Sequence, residues 1–335
     1  TNTLTLDGVN TYTLAQIYTA DVGGGWGVVT KVGEMYLFMC HMVVGDAGGN
    51  ATKLVDSNVG FQLGVTGTRK NFESKAGSSF EMTGCILKFW SLARKTSYGT
   101  WKFKNCSVYA RESGSICLYM RGNQDHERSE FDVVYWYNRD GTVSFYKCLV
   151  QNSSQFYYYT SGTIEDLRVT GNAMTYFANP IFKNTTIVGQ YSFGEAGLHA
   201  TFVNSTWGSL SFPAANNYLL DKWEFDLTVT NEANAVIVGA TVTLKDKDGV
   251  TRHTGTTNAN GKVGTWEVLA NRYDGTSETK TEYTPFTLTV SKSGTNYLTY
   301  IKKFDLAEKI DWKIAMVDMS DLIEDLDDIK GTGFV

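Results

Sequence analysis

Across residues 31–220 the apolar and polar positions follow a recurring three-point pattern. An apolar residue is followed three positions later by a mostly small residue, and two positions after that by another apolar one. The pattern reads Leu37/Cys40/Met42, Met82/Cys85/Leu87, Phe103/Cys106/Val108 and Phe145/Cys148/Val150. It continues as Ile164/Leu167/Val169, Phe182/Thr185/Ile187 and Phe202/Ser205/Trp207. The four central cysteines stand 45, 21 and 42 residues apart, and the later centres follow at intervals of 19, 18 and 20. A short strand and a polar turn repeating every ~20 residues predict a solenoid of stacked strands, in which like positions pile into columns.

This period assigns the cysteines. The chain has five, Cys40, Cys85, Cys106, Cys117 and Cys148, with no CxxC pair. An odd count without paired spacing argues against a disulfide framework and against a zinc site. The expectation is an inward column of small apolar side chains, because free cysteine is among the most buried residue types. Asparagine precedes the central position at Asn105, Asn184 and Asn204, and each begins an N-x-S/T triplet, as Asn50 and Asn152 also do. At the three rung positions the expected role is a left-handed turn rather than a modification site. One repeat, between the centres at 106 and 148, fits the pattern poorly and reads as an irregular, charged loop.

With rung spacing as its basis, the segment from about 30 to 215 resembles the right-handed parallel β-helix proteins of pectate-lyase-like architecture. Residues 1–30 are expected to cap its first rung. There "TLAQIYTAD" predicts a short helix, and the triple glycine ahead of Trp26 a turn. The all-β fold class follows from composition as well: Gly is 33 and Pro only 3, with 19 Tyr and 18 Phe, a mixture of strand formers and turn formers.

Near residue 220 the rhythm changes to short alternating strands punctuated by "KDG" and "NANG" turns. Residues 221–316 therefore predict a small antiparallel β-sandwich. Gly239, Ala240, Val242, Leu244, Asp248, Gly249, Thr257, Asn260 and Gly261 resemble the carboxypeptidase-regulatory-like or transthyretin-like modules, an immunoglobulin-like plan. The resemblance implies an accessory role in spacing, packing or binding. Residues 317–335 predict a short helix capped by Ser320, with Leu322, Ile323, Leu326 and Ile329 on one face.

Net charge is −5 without any lysine or arginine block, which argues against nucleic acid and an anionic membrane surface as partners. The longest apolar runs fall well short of the ~20 residues that a membrane span requires. No charged start followed by an apolar stretch opens the N-terminus, so synthesis in a host cytoplasm without a signal peptide is expected. "GGWGVVTK" and "DDIKGTGFV" resemble junctions of tailed-bacteriophage structural proteins. Together with the β-helix, they imply a virion surface protein, a tail fibre, spike or capsid decoration. The implied partners are other virion proteins and host surface glycans, and a homotrimer is the usual assembly of such fibres. A glycan-degrading tailspike and a prokaryotic surface adhesin are the alternatives.

Candidate chemistry concentrates in the irregular repeat. Asp125, Glu127, Glu130 and Asp132 form the one concentrated polar cluster on the solenoid and could supply the pair of carboxylates that a glycosidase requires. His126 and Arg128 between them, and Tyr157, Tyr158 and Tyr159 further on, are candidate glycan-binding residues. No nucleophile, phosphate-loop or metalloprotease motif is present. The four histidines, His41, His126, His199 and His253, are scattered, so neither a metal nor a cofactor is expected.

Overall fold

The computed structural model describes residues 3–6, 11–44, 51–55, 60–63, 72–74, 79–89, 100–110, 117–121, 124–133, 135–140, 143–151, 155–158, 162–175 and 178–320. Its elements are strands throughout, with one helix of appreciable length among the described residues. Two compact units are present, the first formed by residues 1–219 with 274–278 and the second by the remainder.

The first unit is a parallel β-solenoid. One face stacks Ala51–Val55, Ser79–Thr83, Thr100–Lys104, Gln124–Glu127 and Val143–Tyr146 in parallel. Higher on the stack, Thr163–Glu165, Ile181–Lys183 and His199–Val203 pair in the same way. A second face runs from Met35–Phe38 through Gly60–Leu63, Ile86–Phe89, Ser107–Ala110, Glu130–Val133 and Leu149–Gln151 to Arg168–Val169. It ends in the strands Thr186–Phe193 and Thr206–Ser211. A third face holds Cys117–Arg121, Tyr135–Asp140, Gln155–Tyr158 and Ala173–Thr175, which pairs with the end of Thr186–Phe193.

The register explains the three-point pattern. On the first face Met82, Phe103, His126 and Phe145 are successive partners. On the second, Leu87, Val108, Phe131, Val150, Val169 and Ile187 are. All ten are buried, as strand alternation requires for residues of one inward column. At seven rungs the bend between these two faces is made by one residue in the left-handed region: Gly84, Asn105, Arg128, Lys147, Asp166, Asn184 and Asn204, with φ between 47° and 71°. The asparagine reading therefore holds at the three rungs where it was made. The Asn204 amide also donates to Asn184 Oδ1 at 3.2 Å, one step of an outer ladder.

The residue after the bend is the former cysteine position, and its column is one of hydrogen-bond donors rather than of small apolar groups. Cys85, Cys106, Ser129, Cys148, Thr185 and Ser205 each donate to the carbonyl two residues earlier, at 2.8–3.5 Å. That carbonyl closes the preceding strand just where the chain turns; those of Lys104, Glu127, Tyr146, Lys183 and Val203 also accept the amide of the preceding rung's bend residue, so the thiol or hydroxyl is a second donor to the same oxygen. A thiol or hydroxyl on a short stem is what fits. Leu167 is the exception, a plain apolar filler.

Two glycines permit the corner inside Thr186–Phe193, where the register slips between Ile187 and Gln190. A Cβ on Gly189 would lie 2.5 Å from the Gly171 carbonyl oxygen, and one on Gly208 2.2 Å from that of Val188. At the start of the chain, Thr13 and Gln16 form a capping box for the helix Leu14–Gly24, and Gly25 ends it in the left-handed region. The helix thus takes in the first two glycines that the sequence assigned to a turn. Buried Asp21 accepts from the Val28 and Val29 amides at 3.1 and 3.0 Å, fixing the exit from the helix to the strand Val29–Val32.

In the second unit Thr251–Thr256, Thr241–Lys245, Phe286–Ser291 and Tyr300–Phe304 form a four-stranded antiparallel sheet. The strand Tyr218–Asn231 pairs in parallel with Ile310–Met316, Phe225 opposite Ile310. Side chains from both sets meet in one core that includes Phe225, Leu227, Val242, Leu244, Val268, Phe286, Leu288 and Ile314. Gly249 and Gly261 of the two expected turns adopt φ of 78° and 70°. The asparagine and aspartate ahead of them accept the turn amides, Asn258 from Asn260 and Lys262, and Asp246 from Asp248 and Val250. The candidate helical residues 321–335 lie outside the described residues.

Candidate functional site

The charged repeat at 124–133 is not an irregular loop. Its strands Gln124–Glu127 and Glu130–Val133 stand in the two faces like those above and below them, joined at left-handed Arg128. His126, Ser129 and Phe131 fill the three points that Phe103, Cys106 and Val108 fill one rung earlier. The pattern was hidden because a histidine stands where an aromatic ring is expected and a serine where cysteine is. The spacing alone, three residues then two, would have revealed it.

This placement removes His126 from the binding candidates. Its side chain is fully buried, and its ring stacks on Phe103 with centroids 5.1 Å apart and planes at 10°. Phe131 and Phe145 close the cage at 5.1 and 5.2 Å. Burial pushes the imidazole down to about 3, so it is neutral at ordinary pH. Ser129, which sequence reading passed over, accepts the Cys106 amide at 3.1 Å and donates to the Glu127 carbonyl at 3.0 Å.

The four carboxylates are divided between two faces of the solenoid. Asp125 and Glu127 flank inward His126 and point outward from the first face; Glu130 and Asp132 flank Phe131 on the second. Charge alternates from rung to rung on the first face. Lys53, Glu81, Lys102 and Asp125 are register partners in order, and Glu81 meets Lys53 at 3.2 Å and Lys102 at 3.7 Å. Two residues along, Glu127 meets Lys104 at 3.0 Å and Arg128 at 2.9 Å. The Lys104 hydrogen bond, helped by the charges of Arg128 and Lys147, holds the Glu127 carboxyl below its ordinary value. On the second face Glu130 accepts a hydrogen bond from the Gln151 amide, and Asp132 is almost wholly buried. Opposite charges facing across adjacent strands favour this register, weakly where water screens them.

A general acid for glycoside cleavage must keep its proton near neutral pH, which requires a raised carboxyl. Glu127 is shifted the other way. Among the described residues no group of three or more His, Cys, Asp and Glu side chains is arranged to hold a metal ion. No described helix is long and apolar enough to cross a membrane.

Tyr157 and Tyr158 lie on the third-face strand Gln155–Tyr158, where the backbone register aligns Tyr119, Tyr137, Tyr157 and Met174. Tyr159 lies outside the described residues. Arg128 is exposed at its bend and ion-paired with Glu127.

Neither a protein-family model nor a curated protein matches the chain. Among solved structures, one similar chain is the Bacillus anthracis TIE protein, at 16% identity and a TM-score of 0.22. The match covers 33% of this chain and 20% of that protein. The match therefore spans only a fifth of that protein's length, and a likeness of this size carries no argument about function.

Proposed function

We propose that this chain is a non-enzymatic structural protein of a tailed-phage virion surface, a fibre, spike or decoration that contacts host surface glycans. The observation that carries the non-enzymatic part is the fate of the acidic cluster. Two of its four carboxylates are engaged on the solenoid's own surface, Glu127 in ion pairs with Lys104 and Arg128 and Glu130 in a hydrogen bond from the Gln151 amide. The glycan part draws on the third face, whose register aligns Tyr119, Tyr137 and Tyr157 on adjacent strands about 4.8 Å apart. The assignment to a phage rests on the resemblance of "GGWGVVTK" and "DDIKGTGFV" to junctions of such proteins. On this reading the solenoid is a right-handed β-helix, and the second unit is an immunoglobulin-like sandwich that spaces or anchors it. Residues 317–335 then provide a helix for assembly, in a homotrimer or against other virion proteins.

The test combines two measurements on the purified full chain. Antibodies raised against it label intact virions in electron microscopy, and the chain binds bacterial surface polysaccharide without releasing new reducing ends. Reducing ends that appear with the wild type and vanish with Glu127→Gln or Glu130→Gln establish the tailspike alternative instead. Absence of labelling on every virion preparation removes the phage assignment.

A further inference from the structure

A buried carboxylate in the second unit has no part in any of this. Asp221, on the strand Tyr218–Asn231, is 5% exposed, and Asn271, on Trp266–Asp274, is 9% exposed. The Asn271 amide donates to Asp221 Oδ2 at 2.7 Å. That leaves one further oxygen on each group, Asp221 Oδ1 and Asn271 Oδ1. Both are buried, and neither accepts a hydrogen bond from any described residue. Two acceptors without a donor, on side chains already joined by one hydrogen bond, are a costly arrangement for an ionised carboxylate in a protein interior.

One proton resolves both. We infer that Asp221 is held as the neutral carboxylic acid and donates from Oδ1–H to Asn271 Oδ1, closing a two-bond acid–amide pair that locks the second unit in a pH-dependent way. In this pair each group gives one hydrogen and receives one, and no buried charge remains. Nothing is transferred beyond the proton that Asp221 retains on folding.

The surroundings agree. Burial raises the Asp221 carboxyl above its ordinary 3.8, against the lowering effects of the Asn271 hydrogen bond and the Lys280 charge. Lys280 is the cation facing it from Thr279–Glu282, and it is held by Glu282 at 2.6 Å. Tyr273, on the strand of Asn271, is a neutral phenol and is itself raised by burial. Lys222, next to Asp221 in sequence, lies 3.9 Å from Glu267. A carboxyl raised in the folded state stabilises acid conditions. As pH climbs above 3.8, the unfolded chain gives up the proton while the folded chain keeps it, so stability falls until the folded value is passed.

Peptide-resolved hydrogen exchange on the full chain tests this, with intrinsic rates corrected for pH. For residues 218–231 and 266–274 the wild type is expected to lose protection as pH rises from about 4.5 to 8, by a factor of about ten for each unit by which folding raises the carboxyl. Asp221→Asn replaces the acid–amide pair by an amide–amide pair of the same shape with no proton to lose, and its protection should not change with pH. Infrared spectra of the wild type at neutral pH should contain a carboxylic-acid carbonyl band that Asp221→Asn removes. An equal fall in protection in both proteins overturns the proposal. So does the absence of an acid carbonyl band in the neutral wild type, a result that stands even if the variant does not fold.

Discussion

The imidazole of His126 lies flat against the ring of Phe103, 5.1 Å away and within 10° of parallel, in a column otherwise made of apolar residues. A titratable group therefore occupies a position whose neighbours are Phe103, Phe131 and Phe145. The solenoid tolerates it only as the uncharged ring.

Acid should consequently weaken the solenoid. The imidazole titrates at 6.5 when unfolded and near 3 when folded. Its contribution is thus complete above pH 6.5 and shrinks steadily as pH falls from 6.5 towards 3, by up to about 4–5 kcal/mol at the limit. His126→Phe, which restores the aromatic column, should abolish this part of the acid sensitivity while keeping neutral-pH stability within about 1.5 kcal/mol. Urea unfolding between pH 4 and pH 7 measures both. An unchanged acid slope in the variant rules out His126 as its source.

The donor column makes a chemical prediction at Ser129. Ser129→Cys keeps a hydrogen-bonding group on a short stem and should cost less than about 1 kcal/mol, whereas Ser129→Ala leaves the Cys106 amide without its acceptor and should cost about 1–3 kcal/mol, the Glu127 carbonyl still accepting the Asn105 amide. Denaturant unfolding of the two variants separates a hydrogen-bonding requirement from a size requirement. If alanine is tolerated as well as cysteine, size is all that matters.

The same column should be chemically silent. Cys40, Cys85, Cys106 and Cys148 are buried, and burial raises the Cys106 thiol and pushes that of Cys148 up to about 11. A thiol reagent at about pH 8 is expected to leave these four unmodified in the folded chain and to label them after unfolding. Mass spectrometry of the labelled peptides reads this out directly. Rapid native labelling of Cys106 or Cys148 contradicts the packing.

In the second unit the critical carboxylate for neutral pH is Asp246. Its buried side chain takes the Asp248 and Val250 amides and two bonds from Arg252, at 2.7 Å from Nε and 2.6 Å from Nη2. Arg252 in turn lies over Tyr283 at 4.6 Å. Burial alone would raise Asp246, but the Val250 amide and Arg252 outweigh it and the carboxyl is lowered. Stability from this group is therefore present above 3.8 and lost as pH falls through the lower folded value, the opposite sense to Asp221. Asp246→Ala should cost about 1–3 kcal/mol at neutral pH, chiefly by leaving the Asp248 and Val250 amides without their acceptor, the solvent-screened Arg252 contributing less. Calorimetry in which the second unit's transition does not move would contradict that weight.

Gly208 is the sharpest steric test. A methyl group there would meet the Val188 carbonyl at 2.2 Å, so Gly208→Ala should destabilise the solenoid by at least about 1–3 kcal/mol. Thermal unfolding within about 0.5 kcal/mol of wild type would show that the corner yields more readily than its spacing implies.

The sequence by itself determined the period, the inward residues of the rungs that keep the three-point pattern, and the bend at the three asparagine rungs. Each of these is a local requirement repeated along the stack. Asparagine at Asn105, Asn184 and Asn204 signals a left-handed residue because its short polar side chain accepts that conformation more readily than most. Alternation around Phe103, Phe145 and Phe182 signals an inward face because a strand has a period of two. The turns at Gly249 and Gly261 were legible for the same local reason.

Only the tertiary structure decided what occupies a column when the residue type breaks the pattern. His126 and Ser129 looked like parts of a charged loop, since their own polarity says surface. Their position is set by stacking partners twenty residues away, Phe103 and Cys106 below and Phe145 and Cys148 above. The division of Asp125, Glu127, Glu130 and Asp132 between two faces follows from that same placement. Asp221 and Asn271 stand fifty residues apart in the chain, and no spacing rule joins them. Burial and hydrogen bonding between distant strands are properties of the packed structure, and they turn an ordinary aspartate into a group that keeps its proton.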